Sequence, residues 1–222
     1  MIEVHHLEHS RSIRVVWLLE ELAAPYKLIH YKRDPKSMLA PPALREIYPI
    51  GKSPIIRDGA LVLAESGAIL EYINETYGAG KLAPARSSPD YWTHLYWLHY
   101  AEGSAMPPLI TRLIFQLLPG RSPALMRPFV RAISRRVTKT YLDREIAMHV
   151  RHWEQRLQSS PWFGGQNIGI ADMQMAYVIE AADKRIGISA NNKAIAGFLE
   201  KVRALPAYRK ALVAVGEADP IP

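Results

Sequence analysis

The chain has 222 residues, of which 49% are hydrophobic and 22% charged, with a formal net charge of +7; this balance describes a globular protein of one large or two small domains and excludes wholesale disorder. No apolar run reaches the roughly 18 residues of a membrane span, and Met1 to Ser10 lacks the basic-then-apolar order of a signal peptide, so a cytoplasmic location is expected. The lack of cysteine removes disulfides, thiolate zinc sites, a thiol nucleophile and prenyl or palmitoyl anchors, leaving any sulfur chemistry to another molecule's thiol.

Ile2 to Leu7 reads as a short strand, and Ser10 then precedes a helix with apolar positions Ile13, Val16, Trp17, Leu19 and Leu22. Tyr26 to Tyr31 alternates as a second strand, and Pro41 to Tyr48 is a brief helical piece. Pro54 to Arg57 and Ala60 to Leu63 flank Asp58-Gly59, a strong hairpin signal, and Glu65 to Tyr77 returns to helical period. The order β-α-β-α-β-β-α, with a right-handed crossover between the first two strands, matches an α/β thioredoxin-like domain over residues 1–80. Gly78-Ala79-Gly80, Pro84, Ser87, Ser88 and Pro89 punctuate a linker placed at 81–90. Beyond it strand signals nearly vanish. Helices are expected over Tyr91 to Met106, Leu109 to Leu118, about Ala124 to Leu157, Ile170 to Ile186 and Ala194 to Val202, with a break near Pro107-Pro108. Residues 91–222 therefore read as an all-α domain.

Charge is unevenly placed. Residues 1–80 carry 9 Lys/Arg against 10 Asp/Glu, whereas Arg121 to Arg156 carry 9 against 3, with Arg127, Arg131, Arg135, Arg136 and Lys139 at helical spacing. A solvated helix face is the simplest reading of this run, a site for an anionic ligand, lipid or nucleic acid the alternative; no nucleic-acid motif accompanies it.

Several motifs fail on context. Gly51-Lys52-Ser53 resembles the end of a phosphate-binding loop, but Glu46 stands where its first glycine is required and Pro54 where its helix should start. Gly78-Ala79-Gly80 follows a helix and runs into Pro84, the reverse of a dinucleotide-binding turn. Ser66 lacks the glycines of a nucleophile elbow. His5, His6 and His9 lie in and beside a strand, where neighbours face opposite ways, and no carboxylate completes a metal set, so no metal is expected.

Three pieces of the first domain converge at one edge of a thioredoxin-like topology: Ser10 at a strand-to-helix turn, Ser53-Pro54 entering the hairpin, and Glu65-Ser66 opening the last helix. Pro54 cannot donate to a ladder, and a cis peptide there would turn Ser53 outward as a free edge on which a peptide docks as an added strand. Glu65 suits an ammonium, Ser66 and the adjacent helix N–H groups suit a carboxylate, and Lys52 a second carboxylate. The implied ligand is a short peptide with an amine and a carboxylate at one end and a carboxylate at the other.

His9-Ser10-Arg11-Ser12 leading to Val15-Val16-Trp17-Leu18-Leu19-Glu20-Glu21-Leu22, then Gly51-Lys52-Ser53-Pro54 and Glu65-Ser66-Gly67-Ala68-Ile69, resemble the cytosolic glutathione transferase family, in particular its bacterial and fungal serine-type members, throughout residues 1–77. In the second part the resemblance rests on Ile170-Ala171-Asp172, similar to the family's capping box, although Gly169 stands where that pattern has Ser or Thr.

The resemblance implies that glutathione is the co-substrate, with Ser53 and Pro54 on its cysteinyl backbone, Glu65 and Ser66 at its γ-glutamyl end, and Lys52 at its glycyl carboxylate. Ser10 would face the thiol, with Ser12 and Arg11 as alternates. Serine cannot act as the base, being far too weak, but its hydroxyl can donate to the thiolate beside a helix N-terminus. The electrophile pocket would lie between the two parts, with His99, Met106 and Leu109 as candidates and Phe115 further off. A homodimer that conjugates glutathione to small hydrophobic electrophiles in detoxification, with possible hydroperoxide reduction, is implied. Disulfide reduction with two glutathione molecules and non-catalytic carriage of hydrophobic anions are the alternatives.

Overall fold

The strand order β2-β1-β3-β4 puts β1 (Ile2–Leu7) inside a four-stranded sheet, in a computed structural model that describes residues 1–221. β1 runs parallel to β2 (Tyr26–Tyr31), with Val4 opposite Leu28, and antiparallel to β3 (Ile55–Asp58), with Val4 opposite Ile56. β4 (Leu61–Ala64) pairs back on β3 through the Asp58-Gly59 turn, where Gly59 adopts φ +58°. The parallel pair needs a crossover, and α1 (Ile13–Glu21) supplies it. Alternation along β1 sends Ile2 and Val4 into the main core and Leu7 into a small second cluster with Ile55 and with Leu44 of α2 (Ala43–Ile47).

α1 is buried from Ile13 through Leu19, and α3 (Ser66–Gly78) adds Ile69, Leu70 and Ile73 at helical spacing. The chain then becomes helical: α4 (Tyr91–Tyr100), α5 (Met106–Arg121), α6 (Arg127–Val137), α7 (Asp143–Ser159), α8 (Ile170–Ile186), α9 (Lys193–Ala204) and α10 (Pro206–Val215). α8 is buried at every position from Ile170 to Ala182, the signature of a helix surrounded by others. One continuous apolar cluster joins its residues to those of α1 and α3.

Two features depart from the sequence reading. Pro107 and Pro108 do not break the helical run. α4 passes through a π turn at Ala101–Ala105, and both prolines fall in the first turn of α5, where a missing N–H costs little. The second departure is α10, which the sequence left undefined. It starts at Pro206, ends on left-handed Gly216 at φ +72°, and lies against α1, with the rings of Trp17 and Tyr208 4.9 Å apart. Arg127, Arg131, Arg135, Arg136 and Lys139 are all exposed, on or just beyond α6, and Phe129 and Ile133 are exposed among them.

Candidate functional site

Beyond β1 the chain turns at His9, a non-glycine residue at φ +50°, and delivers Ser10 and Ser12 to the start of α1. The two hydroxyls lie 2.7 Å apart but face different surroundings. Ser12 is wholly buried and bonds Nδ1 of His6 at 2.8 Å, so it neither caps α1 nor reaches the cleft. Ser10 lines the cleft, and its Oγ lies 3.3 Å from that of Ser53.

The cleft encloses about 490 Å³, and Ser10, Arg11, Lys52, Ser53, Pro54, Glu65 and Ser66 all line it. The Ser53–Pro54 peptide is cis. The Ser53 hydroxyl donates to the His5 carbonyl at 3.0 Å and accepts from the Leu7 N–H at 3.3 Å, fastening this segment to β1. Among the main-chain hydrogen bonds of the turns and loops none involves Ser53, which leaves its peptide groups as an open edge. Glu65 sits at φ +73°, ψ +117° immediately before α3, with its side chain exposed and its carbonyl accepting from Ile69 at 2.9 Å. Such a conformation costs a non-glycine residue about 1–3 kcal/mol, so the surrounding turn must impose it.

The opposite wall comes from the π turn, α5 and α8. Glu102 accepts from Arg11 Nε at 2.9 Å and from Arg14 Nη1 at 2.6 Å, and Arg14 Nη2 donates to the Gln174 carbonyl at 2.7 Å. Burial alone would raise the Glu102 carboxyl, but Arg14 and Arg11 hold it below its ordinary value. Tyr177 lies under both guanidinium groups, 4.9 Å from Arg14 and 5.8 Å from Arg11, and burial pushes its phenol up despite them. Arg33 and Arg185 complete a cationic rim. Sequence reasoning missed Glu102, Tyr177 and Arg185; only the spacing of Glu102 and Met106, one helical turn apart, offered a signal.

The electrophile candidates divide. Met106 lines the cleft, with Ile110 one turn further along α5. His99 does not: α4 turns His94, Trp97 and Leu98 inward, which leaves His99 exposed on the outer face. Leu109 is buried in the main core, and Phe115, beyond Ile110 on the same helix, does not line the cleft.

Asp172 is fully buried at the start of α8, accepting from the N–H groups of Phe163 at 2.6 Å and Gly169 at 3.0 Å. Gly169 gives no side-chain cap, and the reason is steric. A Cβ there would approach the Leu82 carbonyl oxygen to 2.7 Å, the same oxygen that accepts the Ile170 N–H at 2.9 Å. Among the described residues no cluster of three or more His, Cys, Asp or Glu could hold a metal ion.

Residues 1–75 match the family described as glutathione S-transferase, N-terminal domain. The chain is 33% identical over 211 residues to glutathione S-transferase 3 of Schizosaccharomyces pombe, covering 95% of this chain and 86% of that protein. It is also 27% identical over 220 residues to the Escherichia coli protein named disulfide-bond oxidoreductase YfcG, covering 96% and 95% of the two chains. A solved glutathione S-transferase from Actinobacillus pleuropneumoniae superposes with a TM-score of 0.81 at 28% identity, covering 98% of this chain and 94% of that one. The chain belongs to the glutathione S-transferase family. It is an enzyme of that family, a thioredoxin-like unit followed by helices.

Proposed function

We propose that the cleft holds glutathione along the Ser53 edge, ionises its thiol beside Ser10, and presents the thiolate to a small hydrophobic electrophile seated against Met106 and Ile110. In this reading residues 1–80 bind glutathione, 81–90 link, and residues 91–222 supply the electrophile wall. Glu65 receives the γ-glutamyl ammonium, Ser66 its carboxylate, and Lys52 the glycyl carboxylate. The observation that carries the reading is the convergence of Ser10, Lys52, Ser53, Glu65 and Ser66 on one cleft although they come from three separate stretches of chain. Ser10 can donate one charge-assisted hydrogen bond to sulfur while the opening of α1 adds positive potential. Each pH unit by which the thiol pKa falls requires about 1.4 kcal/mol of selective stabilisation of the thiolate, and one such bond with a dipole supplies one or two.

Arg11, Arg33 and Arg185 favour a second reading on the same site. Together with Lys52 they line the cleft with more cationic groups than one glutathione requires, and a protein without cysteine can reduce a disulfide only by using two glutathione thiols in turn. The E. coli relative named as a disulfide-bond oxidoreductase supports carrying this reading. A panel of halo-aromatics, organic hydroperoxides and small disulfides, each assayed with glutathione, separates conjugation from reduction; inactivity across the panel would refute both. A homodimer in the cytoplasm completes the proposal, with the dimer checked by sedimentation. No described helix is long and apolar enough to cross a membrane.

A further inference from the structure

His6 and Glu217 belong to neither the peptide edge nor the electrophile wall, yet they are joined to Ser10 by an unbroken hydrogen-bond chain. Glu217, just beyond α10, places Oε1 3.1 Å from Nε2 of His6, and the same oxygen accepts the His9 N–H at 2.8 Å. On the far side of the ring, Nδ1 of His6 meets the Ser12 hydroxyl at 2.8 Å, and Ser12 meets Ser10 at 2.7 Å. His6, Ser10 and Ser12 are all buried, and the chain meets the cleft at Ser10 and a second recess at His6 and Glu217. The carboxylate fixes the tautomer: Nε2 carries the hydrogen donated to Glu217, and Nδ1 is left as an acceptor.

We propose that His6 is the proton acceptor for the glutathione thiol, reached through Ser12 and Ser10, with Glu217 orienting and charge-balancing its ring. This rests on the reading that Ser10 faces the thiol. In the resting polarity Ser10 donates to Ser12 at 2.7 Å rather than to Ser53 at 3.3 Å, and Ser12 donates to Nδ1; the Ser12 N–H, 3.4 Å away, takes one lone pair of Ser10 and leaves the other open to an S–H. Ionisation breaks the S–H bond and forms O–H on Ser10. The former Ser10 proton passes to Ser12, the former Ser12 proton passes to Nδ1, and the products are a thiolate and an imidazolium. The polarity of the chain is then reversed. Ser10 now donates to sulfur, the orientation that stabilises the anion, and the imidazolium is paired with Glu217. When the thiolate adds to an electrophile the proton returns along the chain to the carbanion. When it displaces an anion, the proton leaves to water with that anion as its counterion.

Other charged groups face this ring. His30 of β2 lies edge-on with its centroid 5.3 Å away, and His9 Nδ1 is 3.8 Å from the second Glu217 oxygen. Glu8 and Lys32 border the same recess, as does Lys184 of α8, paired with Asp219 at 3.0 Å. Glu217 alone of these groups bonds the imidazole. Its carboxyl, which burial would raise, is held below the ordinary value by the bonds from His6 and from the His9 N–H.

The test uses histidine ¹⁵N shifts of the intact protein with glutathione and, separately, with S-methylglutathione, which has no proton to give. His6 is expected to be a neutral Nε2–H tautomer when free and with S-methylglutathione, and doubly protonated with glutathione. A ring that stays neutral with both ligands, or becomes charged with both, overturns the relay. In parallel, Ser12→Ala should raise the apparent pKa of the bound thiol, read by thiolate absorbance, by about one pH unit or more while leaving glutathione affinity within a few-fold. Ser12→Thr, which keeps the hydroxyl, should restore it. If Ser10→Ala moves that pKa and Ser12→Ala does not, the relay is wrong and the role of Ser10 stands; if glutathione fails to bind the unaltered protein, both fall.

Discussion

Arg14, with only 1% of its side chain exposed, donates to Oε1 of Glu102 at 2.6 Å across 88 residues of sequence. The contact ties α1 to the π turn between α4 and α5, and Arg11 shares the same oxygen. Burial lowers the Arg14 pKa and Glu102 raises it, but the guanidinium stays charged, so removing its partner leaves a buried charge uncompensated. Glu102→Gln should therefore cost about 3 kcal/mol in urea unfolding, the low end for breaking a buried pair because a third of the carboxylate side chain is exposed. Arg14→Met combined with Glu102→Leu should cost less than Glu102→Gln alone. A single-variant loss under about 1 kcal/mol would mark the contact as an ordinary surface pair.

On the proposed reading, Ser10→Ala removes the hydroxyl that faces the thiol while Ser53, Glu65 and Ser66 still hold the rest of the peptide. Glutathione affinity should stay within a few-fold, and kcat/KM should fall about 10- to 1000-fold, or roughly 1.4–4 kcal/mol, the worth of one preorganised donor to an anion. The acid limb of the pH–rate profile should move upward. An unchanged limb would take thiol ionisation away from Ser10.

Glu65 allows affinity and stability to be separated. Glu65→Ala should weaken glutathione binding by about 1.5–3 kcal/mol, the range for a hydrogen bond to a charged group. Glu65→Gly should weaken it as much and yet raise the melting temperature, because glycine adopts φ +73° without the penalty of about 1 kcal/mol or more carried by other residues. Calorimetry with matched thermal melts reads both, and equal melting temperatures for the two variants would contradict imposed strain.

Asp172 and His94 give stability opposite pH slopes. Burial raises Asp172 from 3.8 to about 7, against the pull of the N–H groups of Gly169, Phe163 and Gly164. The native state thus holds a proton that the unfolded chain has lost, and this contribution is full below 3.8 and disappears as pH rises through about 7. Burial depresses His94 from 6.5 to about 4, so its contribution is full above 6.5 and is lost as pH falls through about 4. Between pH 4 and 7 the stability lead of the parent over Asp172→Asn should shrink with rising pH, and its lead over His94→Gln should grow. Denaturant titrations at several pH values check both signs.

Most of this arrangement is written in short-range pattern. Tyr26 to Tyr31 alternates, Asp58-Gly59 turns a hairpin, and Ser10, Ser53 and Glu65 each sit beside a strand end or helix start, so topology alone draws them together. His99, a candidate by position and resemblance, lies on the outer face of α4, because one helical position is worth about 100° of rotation and position along the chain alone does not fix the phase. Glu102, Tyr177 and Arg185 were illegible for another reason: their roles come from contacts across the two halves of the chain, which no local periodicity encodes. Gly169 looked like a defective cap. Its meaning depends on the Leu82 carbonyl, a backbone atom with no trace in residue identity.

The seating of α10 on α1 has a consequence for any attempt to use the first half alone. Trp17 and its neighbours are covered by Tyr208 from the far end of the chain, and Glu217 reaches His6 across 211 positions. A nascent chain that has emerged only as far as residue 80, or a proteolytic fragment of that length, would carry every residue assigned to glutathione and still present an unroofed apolar helix to water. Until α10 docks, such a species would be prone to aggregation or chaperone capture through that surface.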